Sequence, residues 1–281
     1  MTELSEVLEL LHRGGSGIST LSATMRHWVD MDRQHAAFER AASESGNQGF
    51  SMASMSASRP GPPPHRRQEY QLTFRYRSPD KYRSEQGGNT PYGPPKSLHI
   101  RDGTRSWSYF PGQSEAVYQD TSRGEPQLDE FLDPSWLAAA YQLTVTGRTT
   151  HEERPAITLT GLPRPIQRAG DHHRLGAEEI RASIDAETGL LLELTSIFEG
   201  EPFSIQGLHD LIIGEPLDDD LFQFTPPPGV EVKDVEAQFP MPRRVRWLMP
   251  LHWLWLWRMR RKRIAWYGPA REHRKRRWWR S

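Results

Sequence analysis

One stretch, Tyr70–Tyr118, limits what this chain can fold into more than any other. Its first run places Tyr70, Leu72, Phe74 and Tyr76 in one phase and Gln71, Thr73 and Arg75 in the other. Alternation of that kind is the period-2 signature of a strand with one buried face. Ser78-Pro79-Asp80 then reads as a turn, because Pro presets φ and Asp bonds its own backbone. Leu98 and Ile100 resume the alternation, and Asp102-Gly103 supplies the positive-φ residue of a tight hairpin. Trp107 and Tyr109 share a face on the next strand, which Pro111-Gly112 ends. The expectation is an antiparallel meander, wet on one side and strongly aromatic on the other.

The rest of the chain has the same mainly β (α+β) character. Glu3–His12 carries Leu4, Val7, Leu8 and Leu11 at helical spacing, and Gly14, Gly15 and Gly17 break it. Ile18, Leu21, Met25, Trp28 and Val29 read as one apolar stripe of a second helix, Ile18–Ala42, packed on a core or lying as a lid over a cavity. Residues 1–42 are thus expected to be the N-terminal helices of the domain. Residues 43–68 are rich in Ser, Gly and Pro and read as a flexible loop. A PxxP ligand reading of Pro60–Pro63 competes with the linker reading. Asp129–Ala140 reads as a short helix or two turns broken at Asp133-Pro134-Ser135. Strands follow on Leu143 and Val145, on Ile157 and Leu159, on Ile180–Ile184, on Leu190, Leu192 and Leu194, and over Phe203–Ile213. Leu162–Gly176 reads as a loop, Asp218–Phe222 as an acidic helix start, and Phe224–Val230 as extended because three prolines exclude helix. Nine or ten antiparallel strands at this spacing suit a sandwich or barrel and occupy residues 69–240.

These residues carry a resemblance. The segments IRDGTRSWSYFPGQSEAVY, IDAETGLLLELT and GEPLDDDLFQFTPPPGVEV, in this order and spacing, resemble the LolA-like lipoprotein-carrier superfamily over roughly Leu4–Val232. That group includes lipoprotein localisation factors, lipid-carrier lipoproteins and a sigma-factor regulator. The resemblance implies an open antiparallel half-barrel with helices on its concave apolar face and acyl chains bound between them. The candidate cavity residues are Leu21, Met25, Trp28, Leu72, Phe74, Tyr76, Leu98, Ile100, Trp107, Tyr109, Leu143, Val145, Leu192 and Leu194, and the expectation puts those of the sheet on one concave face. The partner implied is a lipid or acyl chain, or an acylated protein. The competing reading is a protein-interaction or regulatory module whose half-barrel is filled by its own side chains. An open apolar cavity favours the first and a packed core the second.

Catalytic and metal chemistry find little support. His151-Glu152-Glu153 lacks the second His of HExxH, and the adjacent His172 and His173 make a poor metal pair. Asp218-Asp219-Asp220 lacks the Gly and Glu spacing of a Ca²⁺ loop. It reads instead as acidic charge at a helix N-terminus. No GxSxG or Gly-rich phosphate loop is present. The expectation is a binding module, not an enzyme, with no cofactor and no metal. The chain has no Cys, which removes disulfides, thiolate ligands and Cys lipidation.

Net charge is zero but unevenly spread. Residues 241–281 hold fourteen Lys and Arg against Glu272, a net +13, and the rest of the chain balances it at −13. The same tail holds seven of the ten Trp. The eleven-residue stretch Trp247–Trp257, apolar but for the interruptions at Pro250 and His252, is too short to span a bilayer. Trp at headgroup depth beside Arg and Lys describes an interfacial segment, with Trp247, Trp253, Trp255, Trp257, Arg258, Arg260, Arg261, Lys262 and Arg263 as the membrane contacts. An anionic membrane surface is the preferred partner of the tail. Nucleic acid and the chain's own acidic body are the rivals. MTELSEVLELL has neither a basic n-region nor a long apolar core. The expected location is therefore cytoplasmic, peripheral to the inner face of the membrane.

Overall fold

The computed structural model describes residues 2–44, 67–87, 97–120, 129–164 and 176–234. The chain divides into two units, Met1–Lys233 and Asp234–Ser281, and Asp234 is the one described residue of the second. The first unit is built on a single sheet of twelve strands. In chain order they are β1 (Thr20–Asp30), β2 (Arg67–Arg77), β3 (Lys81–Gly87), β4 (Ser97–Asp102), β5 (Arg105–Tyr109), β6 (Glu115–Asp120), β7 (Tyr141–His151), β8 (Arg154–Pro163), β9 (Glu179–Asp185), β10 (Leu191–Phe198), β11 (Glu201–Ile213) and β12 (Glu231–Asp234). Spatial order is β12-β6-β5-β4-β3-β2-β1-β11-β10-β9-β8-β7, and every pairing among β1–β11 is antiparallel. The two ends of the sheet do not meet, so it is an open half-barrel. Among the described residues four α-helices accompany it: α1 (Thr2–Arg13), α2 (Met31–Glu44), α3 (Asp129–Leu132) and α4 (Trp136–Ala140). The expected meander is present as β2–β6.

The helix expected over Ile18–Ala42 is corrected. Its first half is β1, the strand that joins the two wings of the sheet between β2 and β11. Leu21, Met25 and Val29 fit a helical stripe, but with Ala23 and His27 they also fit strict alternation. The buried positions follow the alternation, with Leu21, Ala23, His27 and Val29 enclosed. Thr20, Thr24 and Val29 favour the extended state. Asp30 marks the change of structure: its carboxylate accepts the Arg33 N–H at 3.1 Å, the N-cap interaction that starts α2. Residues 1–42 therefore contain the central strand as well as two helices, and Ser43 and Glu44 close α2. Residues 45–66, with Pro60–Pro63, and residues 165–175, with His172 and His173, lie outside the described residues.

α1 buries Val7, Leu10 and Leu11 and leaves Glu6, Glu9 and Leu8 outside. Its end is held by close backbone approach. A Cβ on Gly189, in the β9–β10 turn, would stand 2.5 Å from the Leu10 carbonyl oxygen, and one on Gly15 would stand 2.6 Å from that of Leu132. Both glycines have positive φ, so a side chain there is excluded twice over. The expected break at Asp133-Pro134-Ser135 separates α3 from α4, with the Trp136 indole N–H donating to the Glu130 carbonyl at 3.1 Å. Phe131 and Leu137 from this pair enter the same core as α1.

The β7–β8 turn is strained. Glu152 and Glu153 adopt φ of 45° and 70°, the left-handed region that favours glycine. Glu152 is compensated, since its carboxylate accepts from His209 at 2.6 Å and from the Asp210 N–H at 2.8 Å. Glu153→Gly is expected to raise stability by about 0.5–1 kcal/mol, relief of left-handed strain outweighing the entropy of glycine. Urea unfolding of both proteins checks this.

Candidate functional site

Strand register decides which side chains share a face. From β1 outward, Leu21 lies opposite Tyr76, Ala23 opposite Phe74 and Met25 opposite Leu72. On the other wing, Leu194 lies opposite Ala182, Ala182 opposite Leu159, and Leu159 opposite Val145, with Leu143 opposite Gly161. These residues form one apolar inner face across β7–β11, β1 and β2, covered by Val7, Leu10 and Leu11 of α1 and by Phe131 and Leu137. Leu21, Met25, Leu72, Phe74, Tyr76, Leu143, Val145 and Leu194 thus come together around one core. Leu192 is buried too, but it sits at the β9–β10 bulge, where Leu191 takes the place opposite Ile184. The face is filled: Leu137 is 0% exposed and Phe74 1%.

The remaining candidates stand elsewhere. Leu98, Ile100, Trp107 and Tyr109 point to the outer side, because Ser84 pairs with His99 and His99 with Ser108, which gives the inward phase to the polar residues of β4 and β5. Trp28 also faces outward, opposite Ile205 and Glu69. The single concave face expected from the sequence is therefore two faces. Residues 214–230 cover the outer one. Phe222 is buried with the Arg77 guanidinium 5.1 Å above its ring, and Phe224 stacks on Trp107 at 5.3 Å. Arg77 donates to the Leu217 carbonyl at 3.0 Å and Arg83 to that of Leu221 at 3.2 Å. Asp219, expected at a helix N-terminus, lies in a 3-10 turn, Asp219–Phe222, and pairs with Arg77 and Lys81. Hydrogen bonds from Lys81 and then Arg77 hold its carboxyl below the usual carboxylate range. A polar recess of about 320 Å³ also opens on this side, lined by Asp102, Thr104, Arg105 and Tyr118.

Sequence reasoning missed the polar groups of the inner face. His27 on β1 hydrogen-bonds Tyr70 through Nδ1 and the Ser204 hydroxyl through Nε2 at 2.8 Å, with the Gln206 amide 3.2 Å from Nε2. A serine, a histidine and an orienting hydroxyl in line have the outline of an activated nucleophile. Here Ser204 and His27 are 3% and 4% exposed in the middle of paired strands. Their arrangement satisfies buried polar atoms. Farther along, the inward positions of β3–β5 are Tyr82, Ser84, Gln86, Ser97, His99, Arg101, Ser106 and Ser108. Gln86 accepts from Ser97 at 3.1 Å, and His99 Nδ1 lies 2.9 Å from the Ser108 hydroxyl. Burial pushes the His99 pKa down, favouring neutral imidazole. The signal for all of these was available only as polar residues recurring at alternate positions of strands; which face they take is set by the register.

Among the described residues, no three His, Asp or Glu side chains gather as metal ligands, and no helix is long and apolar enough to cross a membrane. The tail contacts Trp247, Trp253, Trp255, Trp257, Arg258, Arg260, Arg261, Lys262 and Arg263 lie outside the described residues.

No family model and no curated protein matches this chain. Solved structures do. A LolA superfamily protein from Nitrosomonas europaea is similar at TM-score 0.31 and 8% identity, over 78% of this chain and 97% of that one. The Mycobacterium tuberculosis lipoprotein LppX is similar at TM-score 0.41 and 11% identity, over 76% and 98%. MucB, from the Pseudomonas aeruginosa MucA/MucB complex, is similar at 0.43 and 17%, over 82% of this chain and 64% of MucB, less than two thirds of that protein. The similarity is one of fold.

Proposed function

We propose that this chain is a non-enzymatic binding protein, a carrier or sensor whose ligand is an acyl chain or an acylated partner taken up on the inner apolar face. The observation that carries the reading is the nature of the cover. An apolar face many strands wide is closed, among the described residues, by α1, by α2 through Ala37 and by two helices of four and five residues, with no second sheet. Helices that short have no stability of their own and keep their place only through side chains such as Phe131 and Leu137. They are the part of the fold expected to open at least cost. A methylene chain offers the sheet the same apolar contacts, about 0.8 kcal/mol per buried CH₂. Titration of a fluorescent fatty acid into the full-length protein is expected to saturate and to be reversed by unlabelled fatty acid.

The packed core favours a second reading, a protein-interaction or regulatory module of the same fold. It replaces the first if that titration gives no saturable signal.

The tail reading is part of the proposal. Residues 241–281 contact anionic membrane from the cytoplasmic side, Lys and Arg contributing about 1 kcal/mol each near such a surface. Full-length protein is expected to float with anionic liposomes. Trp253, Trp255 and Trp257 changed together to Ala are expected to weaken flotation even where salt screens the arginines. Binding to single-stranded nucleic acid with a steep salt slope, and none to vesicles, overturns it.

A further inference from the structure

The register sets like charges against each other on the outer face. Arg75 of β2 lies directly opposite Arg83 of β3, and Arg77 opposite Lys81. Like charges so placed destabilise a sheet, and an anion between them relieves the cost. For the second pair the chain supplies one: Asp219, from the segment 214–230 that crosses this face, takes both Arg77 and Lys81. In the first pair, Arg83 donates to Glu85 at 2.6 Å and to the Leu221 carbonyl at 3.2 Å. Arg75 is half-buried, and its guanidinium makes no hydrogen bond, ion pair or ring contact among the described residues. The same register places Ile212 of β11 opposite Ser22 of β1, and Ser22 opposite Arg75. Ile212, Ser22, Arg75 and Arg83 thus form one row across four strands, with Ile212 49% exposed and Ser22 half-buried.

We infer that this row docks an extended acidic segment of a partner protein, with an Asp or Glu carboxylate on Arg75 beside Arg83 and an apolar neighbour on Ile212. The chain's own segment 214–230 is the pattern for such a ligand. It lays an aspartate on a cation pair, gives the Leu217 and Leu221 carbonyls to Arg77 and Arg83, and buries Phe222. A guanidinium meets a carboxylate through charge-assisted hydrogen bonds, and a serine hydroxyl adds a further donor. An uncharged peptide of the same shape gains no such bond. The row lies on the opposite side of the sheet from the apolar inner face, so the inference stands or falls apart from the acyl-binding reading.

The probe is a peptide of the chain's own acidic sequence, GEPLDDDLFQ, made with photoreactive benzoylphenylalanine in place of its Phe, and a counterpart with Asn for each Asp. Each is irradiated with the full-length protein, and the sites of attachment are mapped by mass spectrometry. The acidic peptide is expected to label the surroundings of Ser22, Arg75 and Ile212 about tenfold more than the Asn peptide does. Arg75→Gln is expected to remove that labelling and Arg75→Lys to keep part of it. Arg67→Gln, which deletes an equal charge from the same strand, is expected to leave it unchanged. Arg75→Gln should also melt at or above the wild-type temperature, because it parts a like-charge pair. A clear drop in melting temperature would show that the fold already holds Arg75, and overturns the inference. Equal labelling by the two peptides, labelling that persists in Arg75→Gln, or labelling confined to residues 241–281 overturns it as well. No labelling, together with anionic-vesicle flotation that Arg75→Gln abolishes, gives the row to a membrane surface instead.

Discussion

Phe74→Ala is expected to lower stability by about 3–5 kcal/mol, while Trp107→Ala costs roughly 1–2 kcal/mol, although both are aromatic residues of the same meander. Phe74 stands on the inner face of β2, opposite Ala23 and Ser84, and is 1% exposed. Its removal leaves a cavity that the flanking strands, each paired on both sides, cannot close. Trp107 stands on the outer face, half-buried, and stacks on Phe224 of a segment that carries three prolines and no ladder of its own. That segment can settle into the vacated space. Aromatic stacking of this kind is worth about 0.5–1.5 kcal/mol beyond the area it covers. Urea unfolding of the two variants measures the difference. Equal losses would mean that the two rings share one core after all.

The second large effect is expected at Asp185, at the start of the β9–β10 turn. Its side chain is 0% exposed and accepts from the Glu187 N–H at 3.0 Å, the Thr188 N–H at 2.8 Å, the Thr188 hydroxyl at 2.9 Å and Arg154 Nε at 2.5 Å. This turn also presents Gly189 to the end of α1, so it fixes the cover as well as the hairpin. Burial alone would raise the Asp185 pKa, but the hydrogen bonds from Arg154 and Thr188, with the charge of Arg154, outweigh it and the net shift is downward. A carboxyl whose pKa is depressed by folding stabilises above its unfolded pKa, about 3.9, and loses that contribution as pH falls through the folded value. Asp185→Ala is expected to cost about 2–4 kcal/mol near neutral pH, because three turn donors and Arg154 lose their acceptor. The cost should shrink below roughly pH 4, where wild type is losing the same term. Denaturation of both proteins from pH 7 to pH 3 checks the magnitude and the convergence.

Alternation made the strands legible and left their relative phase open. Within β2, or within β4, period 2 states which residues share a face. It does not state whether Leu98 on β4 shares the face of Leu72 on β2, since that depends on how β3 and β4 pair. The observed register, Ser84 with His99, inverts the phase and puts Leu98 and Ile100 outside. The two aromatics that meet the outer face, Phe222 and Phe224, were visible in the Pro-rich segment after β11, but nothing local tied them to Trp107. β1 was misread because Leu21, Met25 and Val29 satisfy both periods. What separates them is Asp30, a cap in the middle of the supposed helix. His27, Ser204 and Arg101 escaped notice because a search for apolar phases passes over the polar residues that occupy them.

The most direct test of the central claim, that the helix-covered face takes an acyl ligand, is native mass spectrometry of the full-length protein purified without detergent. The expected result is a population heavier than the bare chain by the mass of one acyl lipid, returning to the bare mass on delipidation and restored by added fatty acid. Bare protein alone, both before and after incubation with fatty acid, would contradict it.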